Sequence, residues 1–181
     1  MRISPFSVLL CSGVLALACS GARGDEAGEL MPPLPQKPKV WIGTPQSWEG
    51  LHGQVVLVDV WAFRCANCLA SMPWIKEVRE RYGPRGFSVV GVHTPELEEE
   101  RDAGNVRRAV QKYGLDYPHL LDMNSAYWDA LHNKYWPTVY LVDRCGRRRG
   151  AHVGEVHSKD QTAVAIEARI EALLDEKSCQ S

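Results

Sequence analysis

The sequence predicts an α/β fold, in which a central β-sheet is flanked by helices. Two β-branched apolar runs, residues 55–60 and 87–92, are typical of buried strands. The segment between them repeats apolar residues at intervals of three or four, which indicates a helix with one buried face. These residues are Leu69, Met72, Ile75, Val78 and Tyr82. The chain has 181 residues, of which 45% are hydrophobic, and this suffices for one such domain.

The rest of the chain supplies the outer elements. Residues 40–53 are predicted to form a short strand and a loop, with Trp41 and Trp48 packing over the first buried strand. Residues 96–113 are predicted to be helical, but Gly104 suggests a break, and a loop followed by a helix is the alternative. The elements predicted after it are, in order, an extended piece over 117–121, a short helix over 125–133, a hairpin of 138–142 with 147–153, and a last helix over 158–174. The order is β-α-β-α-β-β-α, with an extra helix before the third core strand.

Three local expectations refine these helices. Ser125 or Asn124 is a suitable N-cap for the short helix. Val164 belongs, by its spacing, to the core-facing residues of the last helix. The acidic run over residues 98–102 is predicted to be a solvated face.

Two cysteines lie where the first buried strand gives way to its helix. Cys65 and Cys68 are three residues apart, so they share one face of the first helical turn and are within reach of a disulfide. The unpaired N–H groups and the positive dipole end of that turn stabilise a thiolate, the attacking species in disulfide exchange, on Cys65. The positive charge of Arg64 favours the same thiolate. Cys68, further into the helix, is expected to be the resolving thiol.

The residues around the cysteines resemble the thioredoxin superfamily. Trp61-Ala-x-x-Cys65-x-x-Cys68 is preceded by an acid, Asp59, and followed by a proline, Pro73. The arrangement is similar to the periplasmic thiol:disulfide oxidoreductases of the TlpA/ResA type. The resemblance implies a thioredoxin fold, with a central mixed β-sheet flanked by helices and an extra helical insertion.

Within that group, three segments resemble the thioredoxin-like domain of DipZ-type proteins. They are residues 91–96 (Gly-Val-His-Thr-Pro-Glu), 105–110 (Asn-Val-Arg-Arg-Ala-Val) and 135–138 (Tyr-Trp-Pro-Thr). The resemblance covers about residues 40–175. It gives no mechanism for His93 and Glu96, and a hydrogen-bonded structural histidine is the expectation for His93.

Asp59 interrupts an apolar strand, so burial should raise its pKa. The resemblance implies that it accepts the proton of Cys68. The alternative is a strand-end aspartate bonded to backbone amides.

The resemblance also identifies candidate substrate-binding residues, which are Trp136, Pro137 and Trp61. It implies that Pro137 follows a cis peptide bond and faces the cysteines, and that the backbone of Trp136 pairs with an extended substrate. An ordinary trans proline opening an edge strand is the alternative. Trp136 departs from the threonine or isoleucine common at its position, which leaves substrate preference open. Trp61 is expected to pack under the cysteine motif.

The N-terminal segment predicts export. Residues 1–18 combine Arg2 with a short apolar stretch, as in a secretory signal peptide. Small residues before Cys19 resemble a bacterial lipobox, in which that cysteine is acylated; an ordinary cleavable signal is the alternative. Residues 19–39, rich in glycine and proline, are expected to be an extended linker, followed by the domain over 40–176 and a tail over 177–181.

Two further cysteines, Cys145 and Cys179, could form a second disulfide in an exported protein. A closed zinc site needs four ligands, and no metal-ligand spacing is present. We therefore expect no metal and no cofactor.

The leading function is a thiol:disulfide oxidoreductase that acts on exported proteins, with reductase as the favoured direction. The expected partners are protein thiols or disulfides, a membrane electron donor and a lipid anchor, for a chain that is itself a monomer. The net charge of -1 gives no nucleic-acid footprint. The alternatives are a disulfide-forming oxidant, a copper-handling protein and a non-catalytic anchored module.

Overall fold

A computed structural model describes residues 28–176, and a six-stranded sheet forms their centre. The strands are β1 (Trp41–Ile42), β2 (Val55–Trp61), β3 (Phe87–His93), β4 (His119–Leu121), β5 (Thr138–Val142) and β6 (Arg148–Val153). The helices are α1 (Ala66–Tyr82), α2 (Ala103–Lys112), α3 (Ala126–Ala130) and α4 (Gln161–Asp175). Over this part of the chain, no helix has the length and apolar composition that crossing a bilayer requires.

The sheet is mixed and has the strand order β1-β4-β3-β2-β5-β6. β2 and β3 are parallel, as are β3 and β4, whereas β5 runs antiparallel to β2 and to β6, and β1 antiparallel to β4. The parallel pair β2 and β3 is joined by α1, as a parallel crossover requires. These features confirm the α/β fold with a central mixed sheet flanked by helices.

The register of β2 places its carboxyl end at the middle of the sheet. Trp61 pairs with His93 on one side, and Val60 pairs with Thr138 on the other. The segment that follows β2 and contains the cysteines therefore lies between the end of β3 and the start of β5.

Alternation along β2 builds two cores, one on each face of the sheet. Leu57 and Trp61 face the larger core, which contains buried residues of α1, α2 and α4. Val56, Val58 and Val60 face the second core with Tyr127 of α3. By the same alternation, Asp59 lies on the face of the larger core, where Cys68 is also buried.

Residues 28–39 pack against the domain, whereas the sequence analysis assigned them to an extended linker. Met31 and Leu34 are buried, and Leu30 pairs with Arg147 next to β6. The carbonyls of Pro32 and Pro35 accept hydrogen bonds from the indoles of Trp48 and Trp41. The folded part of the chain thus begins upstream of residue 40, because Met31 and Leu34 of this proline-rich segment are buried against it.

The structure agrees with the alternative for residues 96–113, whereas two other helix details differ from the sequence prediction. The region over 96–113 is a 3₁₀ turn (Glu98–Arg101) followed by α2, because the chain breaks at Asp102, whose carboxylate caps α2. Ser125 takes the N-cap position of α3 but makes no side-chain cap; Asp122 accepts from the first amides of that helix instead. Val164 is 60% exposed, so its assignment to the core was wrong.

Candidate functional site

Cys65 and Cys68 form a disulfide at the start of α1. Cys65 is the N-cap residue of the helix, and its sulfur accepts a hydrogen bond from the Cys68 amide at 3.1 Å. Cys65 is 8% exposed and Cys68 is 2% exposed. A sulfur at the helix N-terminus, with an amide pointing at it, is the one whose thiolate is stabilised, and Cys65 is also the more exposed residue of the two. The arrangement can therefore exchange disulfides through Cys65.

Arg64 extends into solvent and forms an ion pair. Its Nε lies 2.9 Å from Oε1 of Glu99, and the side chains are 59% and 53% exposed. Because the guanidinium is paired and solvated, its effect on the Cys65 sulfur is screened. The tuning of the thiolate by Arg64 stays a prediction.

Asp59 is 2% exposed, and burial raises its pKa to about 7. The sequence-based expectation of a raised pKa is confirmed. Its Oδ2 accepts a hydrogen bond from the Tyr117 hydroxyl at 3.3 Å. Within residues 28–176, no backbone amide donates a hydrogen bond to this carboxylate. This disagrees with the alternative of a strand-end aspartate bonded to amides. A carboxyl that titrates near neutrality is suited to exchanging a proton with a thiol.

Trp61 lies beneath the cysteine segment and is fully buried. The packing prediction agrees with this position. The buried ring gives no support to the assignment of Trp61 to substrate binding, which stays a prediction. Its indole donates to Nδ1 of His119 at 3.2 Å. His119 fits there because its strand neighbour is Gly91, where a Cβ would lie 2.1 Å from Nδ1.

A second buried histidine, His93, also contacts Trp61 and lies opposite it in the register of β2 and β3. The two rings make an edge contact with centroids 5.0 Å apart, and Phe63 stacks on the histidine at 5.7 Å. Neither ring nitrogen of His93 has a hydrogen-bond partner of normal geometry among the described residues, so the expected hydrogen-bonded histidine stays a prediction. Burial lowers the pKa values of His93 and His119 to about 4 and about 3, so both rings are neutral at pH 7.

Glu100 is the site residue that sequence reasoning missed. It belongs to the acidic run predicted to be solvated, yet it is fully buried. Its carboxylate accepts from the backbone amide of Arg64 at 2.8 Å, and from those of Glu96 and Leu97 at 2.8 and 2.9 Å. Three amide donors compensate a buried charge, and one of them directly precedes Cys65. Glu100 therefore ties the segment after β3 to the cysteine segment.

The Trp136–Pro137 peptide bond is cis, as the resemblance implied, and it directly precedes β5. The indole of Trp136 donates to the Thr94 carbonyl at 3.1 Å and packs on Trp128 with centroids 4.1 Å apart. Pairing of Thr138 with Val60 brings this turn beside the segment that leads to Cys65. Binding of substrate by Trp136 and Pro137 stays a prediction.

The other predicted cysteine roles fall wholly or partly outside the described residues. Cys145 is itself disulfide-bonded, whereas its predicted partner Cys179 lies outside the residues that the structure describes, so that pairing stays a prediction. Cys19, the predicted lipidation site, also lies outside them. Across residues 28–176 no three His, Cys, Asp or Glu side chains converge as a metal-binding group.

Comparison with known proteins identifies the family. The Redoxin family model matches residues 27–166 of this chain. Protein DipZ of Mycobacterium tuberculosis is 40% identical over 119 residues, which are 64% of this chain and 17% of DipZ. The thiol-disulfide oxidoreductase YkuV of Bacillus subtilis is 30% identical over 129 residues, which are 70% of this chain and 86% of YkuV.

A solved structure agrees with these relatives. A crystal structure described as a putative thiol:disulfide interchange protein DsbE from Chlorobium tepidum superposes with a TM-score of 0.69 at 25% identity. The match covers 82% of this chain and 98% of that one. The chain thus corresponds to almost all of the DsbE-like protein but spans only 17% of DipZ.

Proposed function

We propose that this chain, which belongs to the Redoxin family and is a thiol:disulfide oxidoreductase of the thioredoxin-like type, acts as a reductase on exported proteins. The observation that carries the proposal is the Cys65–Cys68 pair at the start of α1, with Cys65 as the more exposed residue. YkuV and the DsbE-like protein, which match over most of their length, carry names for the same chemistry.

The proposed reaction begins from the reduced form of the Cys65–Cys68 pair. The Cys65 thiolate attacks one sulfur of a substrate disulfide, forms the mixed disulfide and releases one substrate thiolate. Cys68 loses its proton to Asp59 and attacks the Cys65 sulfur, which restores the Cys65–Cys68 disulfide and releases the second substrate thiolate. Two electrons pass from the protein to the substrate. The proton that Asp59 took from Cys68 returns to one released thiolate, and solvent supplies the proton of the other. A donor must then reduce the protein again.

Local charge supports the reducing direction. A more stable Cys65 thiolate would make the pair more oxidising, because it stabilises the reduced form. The positive charge of Arg64 is paired with Glu99, and the buried carboxylate of Glu100 bonds the amide just before Cys65. Both features limit the stabilisation of the thiolate.

The reduction potential tests the direction. Equilibration of the full chain with glutathione, with Cys65→Ser as the blank, should give a value of about -270 mV, close to that of thioredoxin. A value of about -120 mV would assign the chain as an oxidant instead. Absence of exchange at Cys65 would overturn the oxidoreductase mechanism as a whole.

Export and anchoring form a separate part of the proposal. The support is the sequence of residues 1–19, with its apolar stretch and the small residues before Cys19. Expression of the full chain in a bacterial host with labelled palmitate should label the protein, and Cys19→Ser should abolish the label. An equally labelled Cys19→Ser variant would contradict lipidation at this residue.

A further inference from the structure

A groove beside Cys65 adjoins the redox site and takes no part in the exchange steps above. It has a volume of about 410 Å³ and lies between the start of α1 and the exposed side of α2. Ala66 and Leu69 of α1 line one wall, and Arg108 and Lys112 of α2 line the other. We call it the α2 groove. Arg64 and Ala66, the two chain neighbours of Cys65, both line the groove, so it begins next to the redox-active cysteine.

The α2 groove carries excess positive charge. Arg64, Arg108 and Lys112 line it, against the single carboxylate of Glu99. Glu99 pairs with Arg64. Arg108 bonds the Asn105 amide oxygen, and Lys112 lies over the Tyr113 ring at 5.2 Å. Neither Arg108 nor Lys112 forms an ion pair with any residue over 28–176, so two cations on one helix face are available for an anion.

The shape of the groove fits a polypeptide segment. Its lining along α2 runs from Asn105 to Lys112, which corresponds to about 10 Å of helix. About three residues of extended chain cover that distance. Half-buried Phe63 and Leu69 supply apolar contact, and the cations supply sites for carboxylates.

We propose that the α2 groove binds an acidic segment of the partner protein, with Asp or Glu side chains within about three residues of the cysteine that reacts with Cys65. This proposal rests on the proposed disulfide exchange, and it identifies the partner by the negative charge of the segment that the groove binds. Arg108 and Lys112 would determine specificity without taking part in the exchange chemistry. Their field would also speed the encounter with acidic partners at low ionic strength.

The test uses peptides that differ only in charge. Three peptides of one length, with Glu, Gln or Lys flanking a single cysteine, are linked to thionitrobenzoate as mixed disulfides. The reduced full chain attacks the peptide sulfur, and release of the coloured thiolate gives a second-order rate constant after subtraction of the Cys65→Ser blank. We expect the Glu peptide to react about tenfold faster than the Lys peptide at low salt, and the ratio to fall as added salt shortens the Debye length.

Two variants of equal net charge separate the groove from the charge of the whole protein. R108E/K112E should reverse the preference, so that the Lys peptide reacts faster. K39E/R107E changes exposed cations outside the groove lining and should keep the wild-type ratio. Equal ratios in the two double variants would overturn the proposal, because the preference would then follow net charge.

The remaining outcomes distinguish the inference from the function beneath it. Exchange with all three peptides at one rate would refute the acidic partner and leave the oxidoreductase function intact. Absence of exchange even with the Gln peptide would refute the function itself. Oxidised glutathione serves as a small acidic disulfide. R108E/K112E could slow its reduction while the ratio of the Glu-peptide and Lys-peptide rate constants stays unchanged. That result would refute the polypeptide partner, because the groove would then bind small acids.

Discussion

Replacement of Glu100 should destabilise the fold far more than replacement of its neighbours in the acidic run. The carboxylate of Glu100 accepts from three backbone amides, at 2.8 to 2.9 Å, in a fully buried position. Glu100→Ala leaves these amides without their acceptor, at about 1–3 kcal/mol for each buried donor. Removal of the buried charge and access of water offset part of this cost, so we expect a total loss of about 3–5 kcal/mol.

The matched control is Glu98→Ala, in the same acidic run. The Glu98 side chain is 92% exposed and pairs with Arg101 three residues on, which predicts a loss below about 0.5 kcal/mol. Urea unfolding of the oxidised full chain measures both variants. Equal unfolding midpoints for the two alanine variants would refute the assigned role of Glu100.

Glu100→Gln separates charge from packing. The amide keeps one oxygen acceptor but removes the negative charge close to the Arg64 amide, so the Cys65 thiolate should become more stable. The potential of the pair should then become less negative, by about 30 mV for each pKa unit that Cys65 loses. A purely structural role would lower stability without this shift, and an unchanged or more negative potential would contradict the electrostatic part of the reasoning.

Three further substitutions test other contacts. The folded-state pKa of Asp59 is about 7 against an ordinary 3.8, so its stabilising contribution is complete below pH 3.8 and is lost as the pH rises through 7. The free energy of unfolding of Asp59→Asn should therefore rise relative to that of wild type between pH 5 and 8, by up to about 4 kcal/mol. A difference that does not change with pH would contradict this. Gly91→Ala should lower the free energy of unfolding by about 3 kcal/mol or more, because the added Cβ would lie 2.1 Å from Nδ1 of His119. A Tm equal to that of wild type would show that the ring can move away. Ser71→Ala removes the acceptor of the buried Val156 amide at 2.9 Å and should cost about 1–2 kcal/mol in urea unfolding, with a neutral result indicating that water replaces the hydroxyl.

Local sequence patterns were sufficient for the elements of the sheet and for the cysteine pair. The β-branched runs that predicted β2 and β3 are buried on both faces of the sheet, which is why they contain almost no polar residues. Cys65 and Cys68 could be placed because strand and helix periods change between residues 60 and 69. The resemblance to thioredoxins added Asp59 and the cis peptide before Pro137.

The buried acid and histidines could not be predicted because their environments depend on distant segments. Glu100 is one of three consecutive glutamates, and only the return of the chain against Arg64 distinguishes it from exposed Glu98. His119 is buried because Gly91, on the neighbouring strand, leaves space for its ring. Asp122 caps α3 across an intervening loop, whereas the adjacent Ser125 looked like the better cap from sequence alone.

The segment after β3 connects both sides of the redox site. Its Thr94 amide bonds the Trp61 carbonyl at 3.1 Å, and its Thr94 carbonyl accepts from the Trp136 indole, next to the cis-proline turn. Further along, Glu100 holds the amide that precedes Cys65. A displacement of this segment would therefore move the cysteine segment and the cis-proline turn together. Under the predicted binding of substrate at Trp136 and Pro137, the attacking sulfur and the predicted binding turn would move as one unit.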